Sequence, residues 1–296
     1  MIKKIILGVI AVFGLVLTFG SEGAYDTDLF TTSDQGGEHV IISHTPWEDS
    51  IAASYLIEDL LTQSGYSVEL VQLDPAILFS SVATGQSDFS VSPWLPNTHG
   101  AYYEQFKDRI EYISAHATEA QNGLTVPAYM DVNSIADLTT EANQIITGIE
   151  PGAGITEQTN NLFDAYPNLS EWTHHESSTG AMLTQLEQAL RNEEEIVFPG
   201  WTPHWMYVEY DLKVLEDPEF VYGGGEELAA IGRIGFKEEF PAIYRFVEEF
   251  EWSVDDISLV MLYISEGLTA REATNRWVND NPQQFQEWLD ILQTEE

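Results

Sequence analysis

The segment QIITGIEPGAGITEQTNNLFDA, residues 144–165, determines the fold class that we predict for this chain. Its first six residues are rich in β-branched side chains and predict a strand, and residues 155–165 have the apolar spacing of a helix. A glycine-containing turn at 150–154 joins the two elements. A strand that passes through a short turn into a helix is typical of parallel α/β folds.

The same alternation extends over both halves of the chain. Further strands are predicted at 39–43, 67–73, 89–91, 171–175 and 196–198, and further helices at 50–64, 77–84 and 181–192. In each half the third strand leads into a Trp-x-Pro tripeptide, which begins at Trp94 in one half and at Trp201 in the other. We therefore predict two similar α/β lobes, with a ligand cleft where the carboxyl ends of their strands face each other.

Two segments are predicted to carry the chain between the lobes. One, at 123–130, contains Pro127, and the other, at 220–234, contains three consecutive glycines. Helices predicted at 242–250, 254–265, 269–279 and 282–294 return to the first lobe. The predicted lobes are residues 39–126 with 229–296, and residues 127–228. Two crossings suit a hinge that closes on a ligand.

The beginning of the chain predicts export. Lys3 and Lys4 precede an apolar run at 5–19, and small residues follow as far as Ala24. This order is typical of a secretory signal peptide, which we assign to residues 1–24 and expect to be cleaved near Ala24 or retained as an N-terminal anchor. Residues 25–38 are predicted to form a flexible lead-in. The protein is therefore expected to be periplasmic or at the cell surface.

Charge excludes one class of partner. The chain has 49 acidic and 11 basic residues, a formal charge of −38, which excludes a nucleic-acid binder that works by neutralising phosphates. The chain has no cysteine, so its hydrophobic core must stabilise the fold without disulfides. The acidity is a solubilising surface or an adaptation to high external salt, because salt screens repulsion between carboxylates. The second hypothesis predicts a higher melting temperature in molar salt than in dilute buffer.

The turn at 150–154 predicts an anion site. The first turn of a helix has N–H groups without partners and the positive end of the helix dipole. The amides of Gly154 and Ile155 would occupy this position, although a tight turn without any ligand explains the glycines equally well. His99, five residues after Trp94, would lie nearby in the cleft. A lone histidine is nevertheless more often a structural residue.

Three tryptophans are predicted in loops at the carboxyl ends of strands, namely Trp47, Trp94 and Trp201. Three converging indole faces suit a cation that cannot donate N–H hydrogen bonds, such as a quaternary ammonium. The remaining tryptophans after the leader are predicted as core or packing residues: Trp172, Trp205, Trp252, Trp277 and Trp288. A cage for a diffuse cation, together with an anion site, describes a small zwitterion of the shape of glycine betaine.

The sequence resembles the glycine betaine-binding proteins of osmoprotectant ABC importers. The motifs that carry the resemblance are GIEPGAGI at 148–155, GWTPHW at 200–205, WLPNTH at 94–99, WEDSI at 47–51 and GLTVP at 123–127. The resemblance implies a two-lobed periplasmic-binding-protein-like fold and a membrane permease as partner. It also implies a cage of Trp47, Trp94 and Trp201, and a carboxylate site made by the amides of Gly154 and Ile155 with His99.

Choline is the alternative ligand, and proline betaine is expected as an accepted second ligand. Members of the family differ in the order of their two halves, and the order with the Trp47 half first is also found in related choline binders. Choline has no carboxylate, so its site gains from an acidic residue instead. Glu48 or Asp49 could supply that charge, although Asp49 is equally plausible as an acid of a helix N-terminus.

The residues argue against an enzyme. The chain has no cysteine nucleophile, no Gly-x-Ser-x-Gly and no His-Glu-x-x-His motif, so we expect neither a catalytic nor a metal site and no cofactor. His174 and His175 are adjacent on a predicted strand and would point to opposite faces. The hypothesis from a different class is a secreted glycosidase with a Trp-lined cleft. Glycoside hydrolysis requires a pair of carboxylates, and a chain with 49 acidic residues has many such pairs by chance. We expect a monomer that binds a ligand without turnover.

Overall fold

The computed structural model describes residues 38–294. The predicted signal peptide, and the predicted lead-in except for Glu38, lie outside the described residues. None of the helices in the described part combines the length and the apolar character that a bilayer span requires.

Strands and helices alternate over the first two thirds of the described chain. Its strands β1 to β10 are, in chain order, His39–His44, Ser67–Gln72, Phe89–Ser90, Trp94–Leu95, Ile110–Pro127, Ile145–Thr147, Thr173–His175, Phe198–Thr202, Leu212–Val214 and Glu226–Arg233. Its α-helices α1 to α11 are Glu48–Gln63, Pro75–Ala83, Gly100–Phe106, Gly154–Ala165, Thr179–Asn192, Met206–Glu209, Phe236–Glu239, Pro241–Glu249, Val254–Ser265, Ala270–Asp280 and Pro282–Gln293. The predicted helices of both halves are present, with bounds shifted by a few residues.

The described strands form an eight-stranded sheet, with the order β2-β1-β3-β10-β5-β8 and with β4 and β9 paired to β10 and β5, and a two-stranded sheet of β6 and β7. In the first lobe β1 pairs in parallel with β2 and β3, and β10 runs antiparallel to β3. In the second lobe β6 pairs in parallel with β7, and Ile146 also bridges to Val197, just before β8. Each lobe therefore has the parallel core that the strand–turn–helix units predict, and the predicted fold class is confirmed.

Strands β5 and β10 connect the two lobes, and sequence analysis did not predict either of them as a strand. The first part of β5 pairs with β10 as far as Ala120, opposite Glu226. From Gln121 onward β5 pairs with β8, and at its end with β9. The long strand β5 thus changes partner within one residue step, and this step lies next to the start of β10.

The C-terminal helices cover the first lobe, as predicted. Helices α9 and α10 pack against α1, and α8 packs against β5. Their core is aromatic, since Trp277 stacks on Trp288 at 5.8 Å and meets Trp252 edge-on at 5.3 Å. The prediction that these tryptophans, with Trp172 and Trp205, are packing residues is confirmed by their burial.

Candidate ligand site

A cavity lies between the lobes, with about 350 Å³ of empty space that includes space open to solvent. Side chains and backbone from both lobes line it: Trp47, Asp49, Trp94, Thr98, His99, Asn122, Ile149, Ala153, Gly154, Ile155 and Trp201. All of the predicted cage and carboxylate residues therefore line one cavity.

Three tryptophans reach the cavity from three different elements. Trp47 is the residue before α1, Trp94 begins β4 and Trp201 lies within β8. The predicted loop positions of Trp94 and Trp201 were wrong, because both residues belong to short strands. Both are almost fully buried, at 6% exposure each. The rings are thus held by strand pairing and by the start of a helix, which favours a preformed cage.

Neighbouring polar groups orient two of the indole rings. The Nε1–H of Trp94 donates to Oδ2 of Asp49 at 3.0 Å. The ring of Trp201 meets that of His204 edge-on, with the ring centroids 4.7 Å apart. Because Asp49 lies in the first turn of α1, the helix dipole also favours its charge there. Two of the three rings therefore each have a fixed neighbour.

The start of helix α4 presents backbone donors to the cavity. Helix α4 begins at Gly154, and its capping position is Ala153, which has no side chain that could accept a hydrogen bond. Within the described residues neither the Gly154 nor the Ile155 amide donates to another group of the chain. Both amides belong to the turn whose N–H groups lack intrahelical partners and where the dipole is positive. The start of α4 suits an anion.

Gly154 is also required for the approach of the two lobes. A Cβ atom at Gly154 would lie 2.4 Å from Cγ2 of Thr98 and 2.6 Å from its carbonyl oxygen. Thr98 follows β4 of the first lobe, whereas Gly154 begins α4 of the second. The amide donors therefore reach the cavity only because this helix begins with a residue that has no side chain.

His99 supplies a third donor to the cavity. Its Nδ1 accepts the backbone N–H of Trp94 at 2.9 Å, so the proton of the neutral ring must be on Nε2. Nε2 is buried and has no partner among the described residues. Burial lowers the pKa of His99 to about 4, which keeps the ring neutral at physiological pH. A buried donor without an acceptor costs about 1–3 kcal/mol, which an acceptor in the cavity would recover.

The two predicted acidic candidates differ in position. Asp49 lines the cavity, and burial raises the pKa of its carboxyl, while the hydrogen bond from Trp94 acts in the opposite direction. Glu48 does not line the cavity. Burial, followed by the neighbouring charge of Asp49, raises the pKa of Glu48 to about 7. Of the two, only Asp49 can place its charge beside a cation in the cage.

Four lining residues had not been predicted as site residues: Thr98, Asn122, Ile149 and Ala153. Thr98, Ile149 and Ala153 lie within the motifs quoted above, but nothing in their side-chain chemistry distinguishes them as ligand-binding residues. Asn122 precedes such a motif and is brought to the cavity by β5. Its role depends on the pairing of β5, which sequence periodicity did not reveal.

Three indole rings and a set of N–H donors that line one cavity between two lobes are typical of a solute-binding protein. Comparison with known proteins gives the family. The chain belongs to the substrate-binding domain family of ABC-type glycine betaine transport systems, which matches residues 38–280. This is a transport family and not an enzyme family, so the glycosidase hypothesis is wrong. Substrate-binding proteins of ABC importers act outside the cytoplasm.

Individual relatives agree with this assignment. The glycine betaine/carnitine transport binding protein GbuC of Listeria monocytogenes is 39% identical over 174 residues, which is 58% of this chain and 57% of that protein. The match thus spans little more than half the length of this curated relative. Lactococcal OpuAC, solved closed with glycine betaine, is 37% identical with a TM-score of 0.82 and covers 85% of this chain and 99% of its own.

A choline-binding protein is similar in structure as well. An ABC-transporter choline binding protein, solved in complex with choline, has a TM-score of 0.77 and 25% identity, and covers 85% of this chain and 91% of its own. The resemblance to the betaine-binding family is confirmed. The ligand of this chain has to be argued from its own cavity.

The assignment of the His99 tautomer can be tested directly. We expect the ring to titrate near pH 4 and to carry its neutral proton on Nε2, because burial opposes the charged form and Nδ1 is an acceptor. Two-dimensional ¹H–¹⁵N spectra of the imidazole nitrogens against pH measure both quantities, with His99→Gln to assign the signal. Titration near the ordinary value of about 6.5 would contradict the buried neutral donor.

Proposed function

We propose that this chain captures glycine betaine and delivers it to the membrane permease of an ABC importer for osmoprotection. The observation that carries the proposal is the combination of groups that line one cavity. Trp47, Trp94 and Trp201 line it together with three N–H donors that have no acceptor within residues 38–294. A molecule that has a methylated ammonium at one end and a carboxylate at the other complements both sets of groups.

The cage suits a cation without N–H groups. A quaternary ammonium cannot donate hydrogen bonds, so it gains from the faces of aromatic rings and from burial of its methyl groups. Indole gives the strongest interaction of this kind. The carboxylate of Asp49 adds negative charge nearby, although its Oδ2 already accepts the indole N–H of Trp94. A primary ammonium would leave hydrogens without acceptors in this cage.

The three N–H donors suit a carboxylate. Two carboxylate oxygens offer about four lone-pair sites, enough for the amides of Gly154 and Ile155 and for Nε2–H of His99. Hydrogen bonds to a charged acceptor are roughly twice as strong as neutral ones. Binding would also satisfy three buried donors at once. The ligand therefore recovers free energy that the empty cavity loses.

Choline is the second candidate, because Asp49 lines the cavity and a choline-binding relative shares the fold. The hydroxyl of choline could accept from one or two of the three donors. It would leave the remaining donor without an acceptor and would bring a hydroxyl proton of its own. Betaine is therefore the better match, and proline betaine, with the same two charged groups, is proposed as an additional ligand.

Calorimetric titration of the protein with glycine betaine and then choline tests this choice. Tight 1:1 binding of betaine with weaker binding of choline is the expected result. A preference for choline would assign the polar end to Asp49 and would contradict the carboxylate role of Gly154, Ile155 and His99. Absence of binding by either molecule would overturn the proposed function.

We further propose that capture depends on hinged closure of two lobes, 39–126 with 229–296 and 127–228. Strand β5 changes its pairing partner between Ala120 and Gln121, next to the start of β10. This change of partner supports a hinge at these residues. We propose a monomer that leaves the cytoplasm by means of residues 1–24, either cleaved near Ala24 or anchored. The closed form would dock on the permease and release the ligand there.

Truncation of the cage should weaken betaine binding. Trp94→Ala and Trp201→Ala are each expected to lower the affinity at least tenfold, about 1.4 kcal/mol, because each removes one indole face. The measurement is calorimetric titration, and Trp252→Phe, in the core of the C-terminal helices, is the control that should retain affinity. Undiminished affinity in both alanine variants would exclude the cage.

Closure should depend on the absence of a side chain at Gly154. Gly154→Ala is expected to weaken betaine binding by roughly tenfold or more, because the new Cβ would overlap Thr98 in the other lobe. Gly180→Ala is the matched control, since Gly180 also lies in the first turn of a helix and a Cβ there meets nothing within 4 Å. Equal affinities for the two variants would show that the lobes do not approach at this point.

A further inference from the structure

A buried carboxylate lies next to residues that line the cavity. Glu226 begins β10 and is only 3% exposed. Its Oε2 accepts the backbone N–H groups of Asn97 at 3.1 Å and of Thr98 at 3.0 Å. Its Oε1 accepts the hydroxyl of Thr98, and Nδ2 of Asn122 lies 3.3 Å from the same oxygen, where it can only share a hydrogen with one of its shorter bonds. Residues 97–98 thus donate three hydrogen bonds to one side chain.

Residues 97–98 form a turn that immediately precedes His99. The hydrogen bonds around Glu226 belong to a network that continues into the second lobe. Asn122, on β5, donates to Oγ1 of Thr98 at 2.6 Å and to Oε1 of Gln158 at 2.9 Å. Gln158 belongs to α4, whose first turn carries the free amides, and it donates to the carbonyl of Tyr222 at 3.2 Å. The network therefore links the two sources of donors in the cavity, His99 and α4.

The donors in this network require an acceptor at its centre. The Thr98 hydroxyl accepts from Asn122, so its own proton goes to Glu226. Burial raises the pKa of Glu226, while the hydrogen bonds from Thr98 and Asn97 favour the ionised form. A neutral amide in place of the carboxylate would set an NH₂ group against the donors of Asn122 and Thr98. The arrangement is consistent only with two acceptor oxygens.

We propose that Glu226 is a positioning residue that holds residues 97–99 in place, so that Nε2 of His99 and the amides of α4 converge on the carboxylate of the ligand. Glu226 does not line the cavity and acts through this turn. The identity of the ligand in this proposal rests on the proposed function. The role of Glu226 in holding residues 97–99 does not depend on that function. Glu226 therefore contributes to the preference for ligands that have a carboxylate.

The test compares Glu226→Gln with Glu227→Gln. Glu227 is the next residue on β10 and has the same side chain, and within the described part of the chain its carboxylate accepts one hydrogen bond, from the hydroxyl of Tyr112 at 2.6 Å. In the protein without ligand, amide hydrogen exchange resolved by NMR reports on the N–H groups of Asn97 and Thr98. We expect both to exchange at least about fivefold faster in Glu226→Gln and at an unchanged rate in Glu227→Gln.

Calorimetry gives the second readout. Glu226→Gln is expected to lower the affinity for glycine betaine about tenfold and that for choline less, so that the ratio of the two affinities falls. If Glu226 had a merely structural role, the substitution would lower the melting temperature and would lower the affinities for both ligands by the same factor. Thr98→Val removes the hydroxyl at the centre of the network and should shift the ratio in the same direction, even if Glu226→Gln does not fold.

Unchanged exchange of the Asn97 and Thr98 amides in Glu226→Gln and Thr98→Val would overturn the proposal, as would an unchanged ratio of affinities. Failure of the proposed function has a different signature. In that case the unaltered protein binds neither ligand, while the exchange rates still show whether Glu226 holds the turn.

Discussion

Three buried N–H groups that have no acceptor among the described residues impose the main physical constraint on this structure. The Nε2–H of His99 belongs to the first lobe and the amides of Gly154 and Ile155 to the second, and all three residues line one cavity. Leaving such donors unpaired is unfavourable, and a carboxylate satisfies all three together. The lobes must approach closely for this to occur, which explains the glycine at the start of α4 and its contact with Thr98.

The three tryptophans also come from both lobes. Trp47 and Trp94 belong to the first lobe and Trp201 to β8, which pairs with the second part of β5. In the proposed function a ligand held by the indole rings and the N–H donors would contact both lobes. Because closure and binding share these contacts, the ligand favours the closed form by the difference of its affinities for the two forms. The cavity between the lobes thus links recognition of the ligand to the conformation that a permease would meet.

Much of this could be predicted from the sequence, for reasons that are local. The segment at 144–165 forms the predicted strand, turn and helix, because β-branched residues, glycines and helical spacing act within a few residues of one another. The tryptophans and the α4 amides that line the cavity could be named beforehand because indole faces suit a diffuse cation and the first turn of a helix has N–H groups without partners. The chemistry of each residue sufficed even where its secondary structure was predicted wrongly, as for Trp94 and Trp201.

The connecting strands could not be predicted in the same way. The register of β5 against β10 shifts at several points, and such bulges break the period of two that identifies a strand. The sequence of β10, EELAAIGR, contains one β-branched residue and has no alternation. It is a strand because strands pair on both sides of it, which is tertiary context that overrides propensity. The network around Glu226 and Asn122 depends on these two strands and was missed with them.

A crystal structure of the protein with glycine betaine tests the central claim most directly. The account predicts that the carboxylate accepts hydrogen bonds from the Gly154 and Ile155 amides and from Nε2 of His99, with the methyl groups against Trp47, Trp94 and Trp201. A ligand bound in the reverse orientation, or with its carboxylate in solvent and the three donors still unpaired, would contradict it.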